Sequence, residues 1–211
     1  VNTKKFKPAD KNYLKNKLGL LENDRIVIYV GRLAKEKSVD FLLKSFARLQ
    51  SPHAQAGGGQ AKLKRPNTYF VIIGDGPEKK NLEKLAKDLS INEEAIFLGA
   101  TPHYDLAKMY NGADVFVFGS TTETQGLVIP EAMACGLPVL TVKDRVFEQF
   151  IENGVDGFMV DKTENEFVKK LEEILDDKNL REEISKRARI KAEKFSLEEI
   201  AKRFENLYKE L

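Results

Sequence analysis

The sequence predicts an α/β fold, a doubly wound and mainly parallel six-stranded sheet with helices on both faces and a helical C-terminal segment. Three observations carry this prediction. Short, continuous apolar runs rich in β-branched residues recur along the chain and read as strands buried on both faces. Most are followed by stretches with apolar residues at helical spacing. Alternation of the two imposes parallel β-α-β units with right-handed crossovers.

Residues 25–31 (RIVIYVG) are the first expected strand, and residues 39–50 the first helix, with Phe41, Leu42, Phe46 and Leu49 at helical spacing. Residues 68–74 (TYFVIIG) form the second strand. A helix over 77–89 follows, with Leu82, Leu85 and Leu89 on one face and Pro77 in its first turn, where a missing N–H is harmless. Residues 95–99 (AIFLG), 104–111 and 114–118 (DVFVF) read as strand, short helix and strand. The helix expected at 127–135 ends at Gly136, a residue suited to the left-handed position after a helix. Residues 138–142 (PVLTV) and 157–160 (GFMV) complete the strands. From about residue 163 the chain is helical and highly charged; Ser196 and Glu199 form a capping box for a last helix over 197–211.

Residues 51–66, with Gly57-Gly58-Gly59, read as a flexible surface insertion. The triple glycine precedes a strand, whereas a phosphate-cradling loop follows one. Residues 1–12 read as an interdomain linker, so the chain is expected to be one domain, 1–211, of a longer protein.

With 211 residues the chain makes one good-sized domain. The 35 basic and 33 acidic residues leave a formal net charge of +2, which gives no case for nucleic acid as a partner. Cys135 is the only cysteine, so no internal disulfide can form, and a reducing, cytoplasmic setting is expected. No apolar run approaches the roughly 18 residues that span a bilayer. Association of a longer parent protein with the inner membrane surface is the one membrane role left open.

Ligands of doubly wound sheets bind beyond the carboxyl ends of the strands. The loops after Val30, Ile73, Leu98, Phe118 and Val142 are therefore where chemistry is sought. After the first strand, Gly31 permits a sharp turn, Arg32 can grip a phosphate with two parallel hydrogen bonds, and Lys37 adds a point charge. Two cations on one ligand-facing loop suit a diphosphate; the plainer alternative is a pair of surface charges. After the fourth strand, Gly126 and Leu127 open a helix whose unpaired N–H groups attract phosphate. Glu123 and Glu131, eight residues apart, flank that helix end. Carboxylates there repel a diphosphate and instead suit hydroxyl groups; a solvated loop acid and a dipole-favoured helix acid are the plainer alternatives. A ligand with one diphosphate and two sets of hydroxyls is a sugar nucleotide.

Gly31-Arg32 with Lys37, Gly74-Asp75-Gly76-Pro77, Phe97-Leu98-Gly99, Ala113-Asp114-Val115, and Glu123 through Glu131 followed by Ala132-Met133-Ala134-Cys135-Gly136-Leu137-Pro138-Val139 together resemble the C-terminal domain of the retaining GT-B glycosyltransferases, glycosyl transferases group 1 (family 4). The resemblance covers nearly the whole chain. It implies the Rossmann-like, donor-binding half of a GT-B fold, with a hexose transferred from a nucleoside-diphosphate sugar with retention. Arg32 and Lys37 would bind the donor diphosphate and stabilise the departing nucleotide. Glu123 would hold hydroxyls of the transferred sugar. The backbone at Gly31, Gln125, Gly126 and Leu127 would line the donor, Thr101 would border the base, and Glu131 would take the ribose hydroxyls. The partners implied are the nucleotide sugar and an N-terminal acceptor domain outside this chain, against which residues 196–211 would pack.

No cofactor and no metal are expected. No Asp-x-Asp element occurs, and fixed cations with a helix terminus can stabilise charge developing on a leaving diphosphate. One departure from the family pattern is Ser38, where glycine is frequent; it stiffens the loop without removing charge. Thr124-Gln125-Gly126-Leu127 looks like bacterial transferases that glucosylate diacylglycerol from UDP-glucose, which hints at donor and lipid acceptor. The alternatives weighed are a non-catalytic sugar-nucleotide-binding fragment and a sugar-nucleotide epimerase. A dinucleotide oxidoreductase would need a Gly-x-Gly-x-x-Gly turn that Gly31-Arg32-Leu33-Ala34 does not supply. His53 and His103 are read as solvated, Cys135 as a core residue, and the cluster Lys186, Arg187, Arg189, Lys191 and Lys194 as a solvated helix face.

Overall fold

Strands β1 (Arg25–Val30), β2 (Thr68–Ile73), β3 (Ala95–Gly99), β4 (Val115–Phe118), β5 (Val139–Val142) and β6 (Phe158–Val160) form one parallel sheet in the order β3-β2-β1-β4-β5-β6. The computed structural model describes residues 1–51, 67–123 and 125–210. Residues 52–66 of the expected insertion, with His53, and Thr124 lie outside the described residues. All six expected strands are present, shortened by at most one residue at an end.

This strand order places a topological switch point between β1 and β4, where the chain stops winding one way and starts winding the other. Central burial explains the composition of these two strands: every residue of β4 is buried, as is β1 after Arg25. Helices α2 (Val39–Gln50), α3 (Lys79–Asp88) and α7 (Glu164–Asp176) pack on one another on one face. On the other, α5 (Val128–Ala134) packs against α4 (His103–Asn111) and α8 (Lys178–Glu193), and the short α1 (Tyr13–Leu18) against α4. Short α6 (Arg145–Glu148) and the terminal α9 (Leu197–Glu210) complete the chain.

Several boundaries differ from the sequence expectation for local reasons. α3 starts at Lys79, not Pro77, because the Glu78 N–H is drawn to the Leu33 carbonyl at 3.0 Å and residues 77–78 form a turn against the β1 loop. α5 starts at Val128 because Gly126 is left-handed, with φ +58, which keeps it out of the helix. Pro130 then falls in the first turn, where it is tolerated. α1 and α6 are too short to show periodicity. Each is marked instead by an end signal: left-handed Gly19 after α1, and Asp144 accepting from the Val146 N–H at 2.8 Å before α6. The capping hydrogen bond expected before α9 is present, with Ser196 Oγ accepting from the Glu199 N–H at 3.1 Å.

The N-terminal segment read as linker is bound to the domain. Phe6 is 1% exposed, and Asn111 accepts from the Ala9 N–H at 2.6 Å while donating to the Lys7 and Ala107 carbonyls. The reading of the α8 basic cluster as wholly solvated is corrected. Arg189 turns inward, donating to the Ala134 carbonyl at 2.8 Å and the Phe6 carbonyl at 3.0 Å. Its guanidinium thereby satisfies the C-terminal end of α5. Lys191 reaches Asp156 at 3.7 Å, whereas Arg187 stays outside with Glu183.

Candidate functional site

The loops after β1 and β4 meet at the switch point. The β1 loop turns at Gly31, runs through Arg32 and makes one 3₁₀ turn at Lys35–Lys37 before α2 begins. Three contacts fix its path. Buried Tyr29 donates to the Arg32 carbonyl at 3.0 Å. Ser120, just past β4, donates to the Glu36 carbonyl at 3.1 Å. Lys162, just past β6, donates to Ser38 Oγ at 2.7 Å. The segment 74–77 braces the loop from the β2 side: the Leu33 N–H donates to the Asp75 carbonyl at 2.9 Å. A β-carbon on Gly74 would stand 1.8 Å from the Gly31 carbonyl oxygen, so only glycine allows this approach.

The bracing brings Lys37 to Glu123. Lys37 Nζ donates to Glu123 Oε2 at 2.6 Å, with the side chains 18% and 13% exposed. Burial, then the charges of Glu123 and Glu36, push the Tyr29 hydroxyl far above its ordinary range. It therefore stays protonated and keeps donating to the loop. Arg32 is exposed at the rim, and its guanidinium has no ion-pair partner among the described residues.

Beyond Glu123, the buried left-handed turn at Gly126 sits over Phe147 and Phe150. Leu127, 54% exposed, occupies the position before α5 with no side-chain cap. Gln125 is exposed beside it. Glu131 lies in the first turn of α5, largely shielded. His103 Nε2 stands 2.9 Å from its Oε1, and the Tyr110 hydroxyl donates to its Oε2 at a longer 3.4 Å. Burial and the Glu131 charge hold Tyr110 protonated. Thr101 is half-buried in the loop between β3 and α4, two residues from His103.

The structure thus gathers Gly31, Arg32, Lys37, Glu123, Gln125, Gly126, Leu127, Glu131 and Thr101 along the carboxyl edge of the sheet. Sequence reasoning reads His103 as a solvated helix start, and its side chain is 63% exposed, but it missed the partners of that side chain. In the structure it is tied to Glu131 and Lys5, because α4 lies against α5. It also missed the supports at Ser120 and Lys162. The Cys135 thiol is pushed up to about 12, first by burial and then by Glu131, which fits a core residue and not a nucleophile. Among the described residues no cluster of His, Cys, Asp and Glu is arranged to hold a metal, and no helix is long and apolar enough to cross a membrane. A separate cavity of about 410 Å³ beside Asp114, Pro138 and Arg181 opens at the amino ends of the strands, away from these loops.

Comparison with known proteins gives a consistent result. The chain is 37% identical over 198 residues, 94% of its length, to the alpha-monoglucosyldiacylglycerol synthase of Acholeplasma laidlawii, and spans 46% of that protein. Its fold matches Anabaena HepE, solved in complex with UDP and glucose, with a TM-score of 0.83 at 24% identity, covering all of this chain and 55% of HepE. It also matches the C-terminal domain of LpcC, a glycosyl transferase group 1 family protein of Francisella tularensis, with a TM-score of 0.77 at 23% identity, covering 93% of this chain and 99% of that domain. The chain spans less than half the length of the first curated relatives it matches. The family profile described as Glycosyl transferases group 1 matches residues 10–191. With its Rossmann-like sheet, shared with GT-B neighbours, the chain belongs to the glycosyl transferases group 1 family.

Proposed function

We propose that this chain is the donor-binding domain of a retaining, family 4 glycosyltransferase that moves a hexose from UDP-glucose to a lipid acceptor. The observation that carries the reading is the Lys37–Glu123 pair at the switch point, on the loops that also carry the exposed Arg32 and lead into α5. A cation for a diphosphate and a carboxylate for sugar hydroxyls, Lys37 and Glu123, held within hydrogen-bonding distance of one another, match the two halves of a nucleoside-diphosphate sugar across its scissile bond. Lys37 and Arg32 stabilise the negative charge that builds on the departing diphosphate. Glu123 orients the sugar, and Glu131 takes the ribose hydroxyls. The Gly31 turn and the backbone at Gln125, Gly126 and Leu127 line the sugar and phosphates, and Thr101 borders the base. These groups supply the charge without a metal ion.

The donor and the lipid acceptor draw support from the Acholeplasma relative, a monoglucosyldiacylglycerol synthase by name, and from HepE, which holds UDP and glucose. A lipid acceptor brings the parent enzyme to the cytoplasmic membrane surface. The acceptor side of the site belongs to an N-terminal domain outside this chain. Leu197, Phe204, Leu207 and Tyr208 of α9 are each more than half exposed, an apolar stripe of the kind that marks an interaction surface. Its start lies against the chain entry, where the Leu197 N–H donates to the Val1 carbonyl at 3.1 Å; that domain packs there. The chain alone therefore binds donor without turning it over, which is the sense in which the binding-fragment reading also holds. Membership of the transferase family leaves the epimerase reading without support.

Calorimetric titration of the full-length gene product with UDP-glucose, UDP and GDP-mannose tests the proposal. Selective binding of the uridine nucleotides is expected, lost in Arg32→Ala/Lys37→Ala. Unchanged nucleotide affinity in that double variant would sink the assigned phosphate site.

A further inference from the structure

The imidazole of His103 stands between the N-terminal segment and Glu131. Its Nδ1 is 2.8 Å from Lys5 Nζ and its Nε2 is 2.9 Å from Glu131 Oε1. A lysine ammonium carries donors and no acceptor. Nδ1 therefore accepts, and the ring proton sits on Nε2, facing the carboxylate. Phe6 steadies the ring edge-on, with centroids 5.2 Å apart at 66°. Phe6 is itself fixed, buried to 1% exposure, with Arg189 donating to its carbonyl. The second carboxylate oxygen, Oε2, takes the longer hydrogen bond from Tyr110. Glu131 is thus held from both oxygens by donors of α4. A carboxylate has about four acceptor positions, so each oxygen keeps one for a ligand. Two fixed acceptors side by side fit the two adjacent hydroxyls of a ribose.

We propose that His103 is a positioning residue for the nucleotide ribose: its Nε2–H sets the plane of the Glu131 carboxylate, and Lys5 selects the tautomer that allows it. This rests on the reading of Glu131 as the ribose acceptor. It differs from a purely structural role in one respect. A tie between the N-terminal segment and α4 would affect every ligand alike, whereas a set carboxylate matters only to a ligand with ribose hydroxyls.

The test compares affinities for UDP and 2′,3′-dideoxy-UDP (or the guanosine pair, should the first titration select it), measured by calorimetry on the full-length gene product. In a glutamine side chain the amide nitrogen falls near the place of Nε2; in asparagine it falls near Nδ1. Wild type should prefer UDP. His103→Ala and His103→Asn should weaken UDP about fivefold, the scale of one charge-assisted hydrogen bond at a partly exposed site, and leave the dideoxy analogue unchanged. His103→Gln should keep the preference. Equal losses for both nucleotides, no loss in His103→Ala, or rescue by Asn and not Gln would each overturn the proposal. Glu131→Ala separates the two levels. If it abolishes the preference while His103→Ala does not, only the positioning role falls. If wild type itself shows no preference, the ribose assignment of Glu131 falls and the positioning role with it.

Discussion

The Lys37–Glu123 pair allows a prediction whose sign is not obvious. At 2.6 Å, with an effective dielectric constant of about 20, the gross attraction is about 6 kcal/mol. Desolvation and side-chain ordering offset most of that. Removing one partner of a fully buried pair costs about 3–5 kcal/mol, and of an exposed pair about 0–1 kcal/mol. With side chains 18% and 13% exposed, this pair falls between, and Lys37→Met or Glu123→Gln should each destabilise the fold by about 2 kcal/mol. The double variant removes both members of the pair, so it should be no worse than either single, giving a coupling of at least about 2 kcal/mol. Urea denaturation of the four proteins measures this.

Ligand binding then separates structure from function. In the free protein Glu123 engages the ammonium that the proposed reading assigns to the diphosphate. Glu123→Gln should therefore leave the affinity for UDP unchanged or raise it, while weakening UDP-glucose, which loses a carboxylate partner for its hydroxyls. Lys37→Met should weaken both. Additive destabilisation, within about 0.5 kcal/mol, would show that the pair does not form in solution. Equal losses of UDP and UDP-glucose in Glu123→Gln would refute the division of labour between the two residues.

Phe6→Ala should destabilise the domain by about 3 kcal/mol, because the ring is buried against Tyr110 and His103; a loss below about 1 kcal/mol in urea would mean that residues 1–7 are not docked. The stability contributed by Cys135, Tyr29 and Tyr110 should be full below pH 9 and fall as pH rises towards 12. The Cys135 thiol ionises near 9 when unfolded but is pushed up to about 12 by burial in the fold, and buried Tyr29 and Tyr110 act in the same direction from pH 10 upward. The slope per raised group is up to about 1.4 kcal/mol per pH unit; a denaturation midpoint flat between pH 8 and 10.5, or rapid reaction of Cys135 with a thiol reagent at pH 8, would contradict it. The full-length enzyme should turn over in excess chelator, and a strict divalent-metal requirement would count against charge stabilisation by Arg32 and Lys37.

The fold was legible because parallel strands buried on both faces are written as uninterrupted apolar runs, and β1 and β4 are the clearest cases. The meeting of the loops after β1 and β4 was legible because a doubly wound sheet fixes which loops can meet. Pairings were not legible. Lys37 and Glu123 are 86 residues apart in the chain, and no local pattern says that their side chains touch. Arg189 shows the same limit in a helix: periodicity identifies the apolar face of α8 but not which charged residue beside it turns in to satisfy the end of α5. Ser38 joins the two levels. It stands where the family often has glycine, and it is left-handed, with φ +51, a conformation that a β-carbon makes about 1–2 kcal/mol less favourable. The Lys162 hydrogen bond to its hydroxyl offsets part of that and anchors the turn next to Lys37. The hydroxyl's partner thus lies outside the loop itself, in a lysine just past β6, which pattern and spacing cannot connect to the loop after β1.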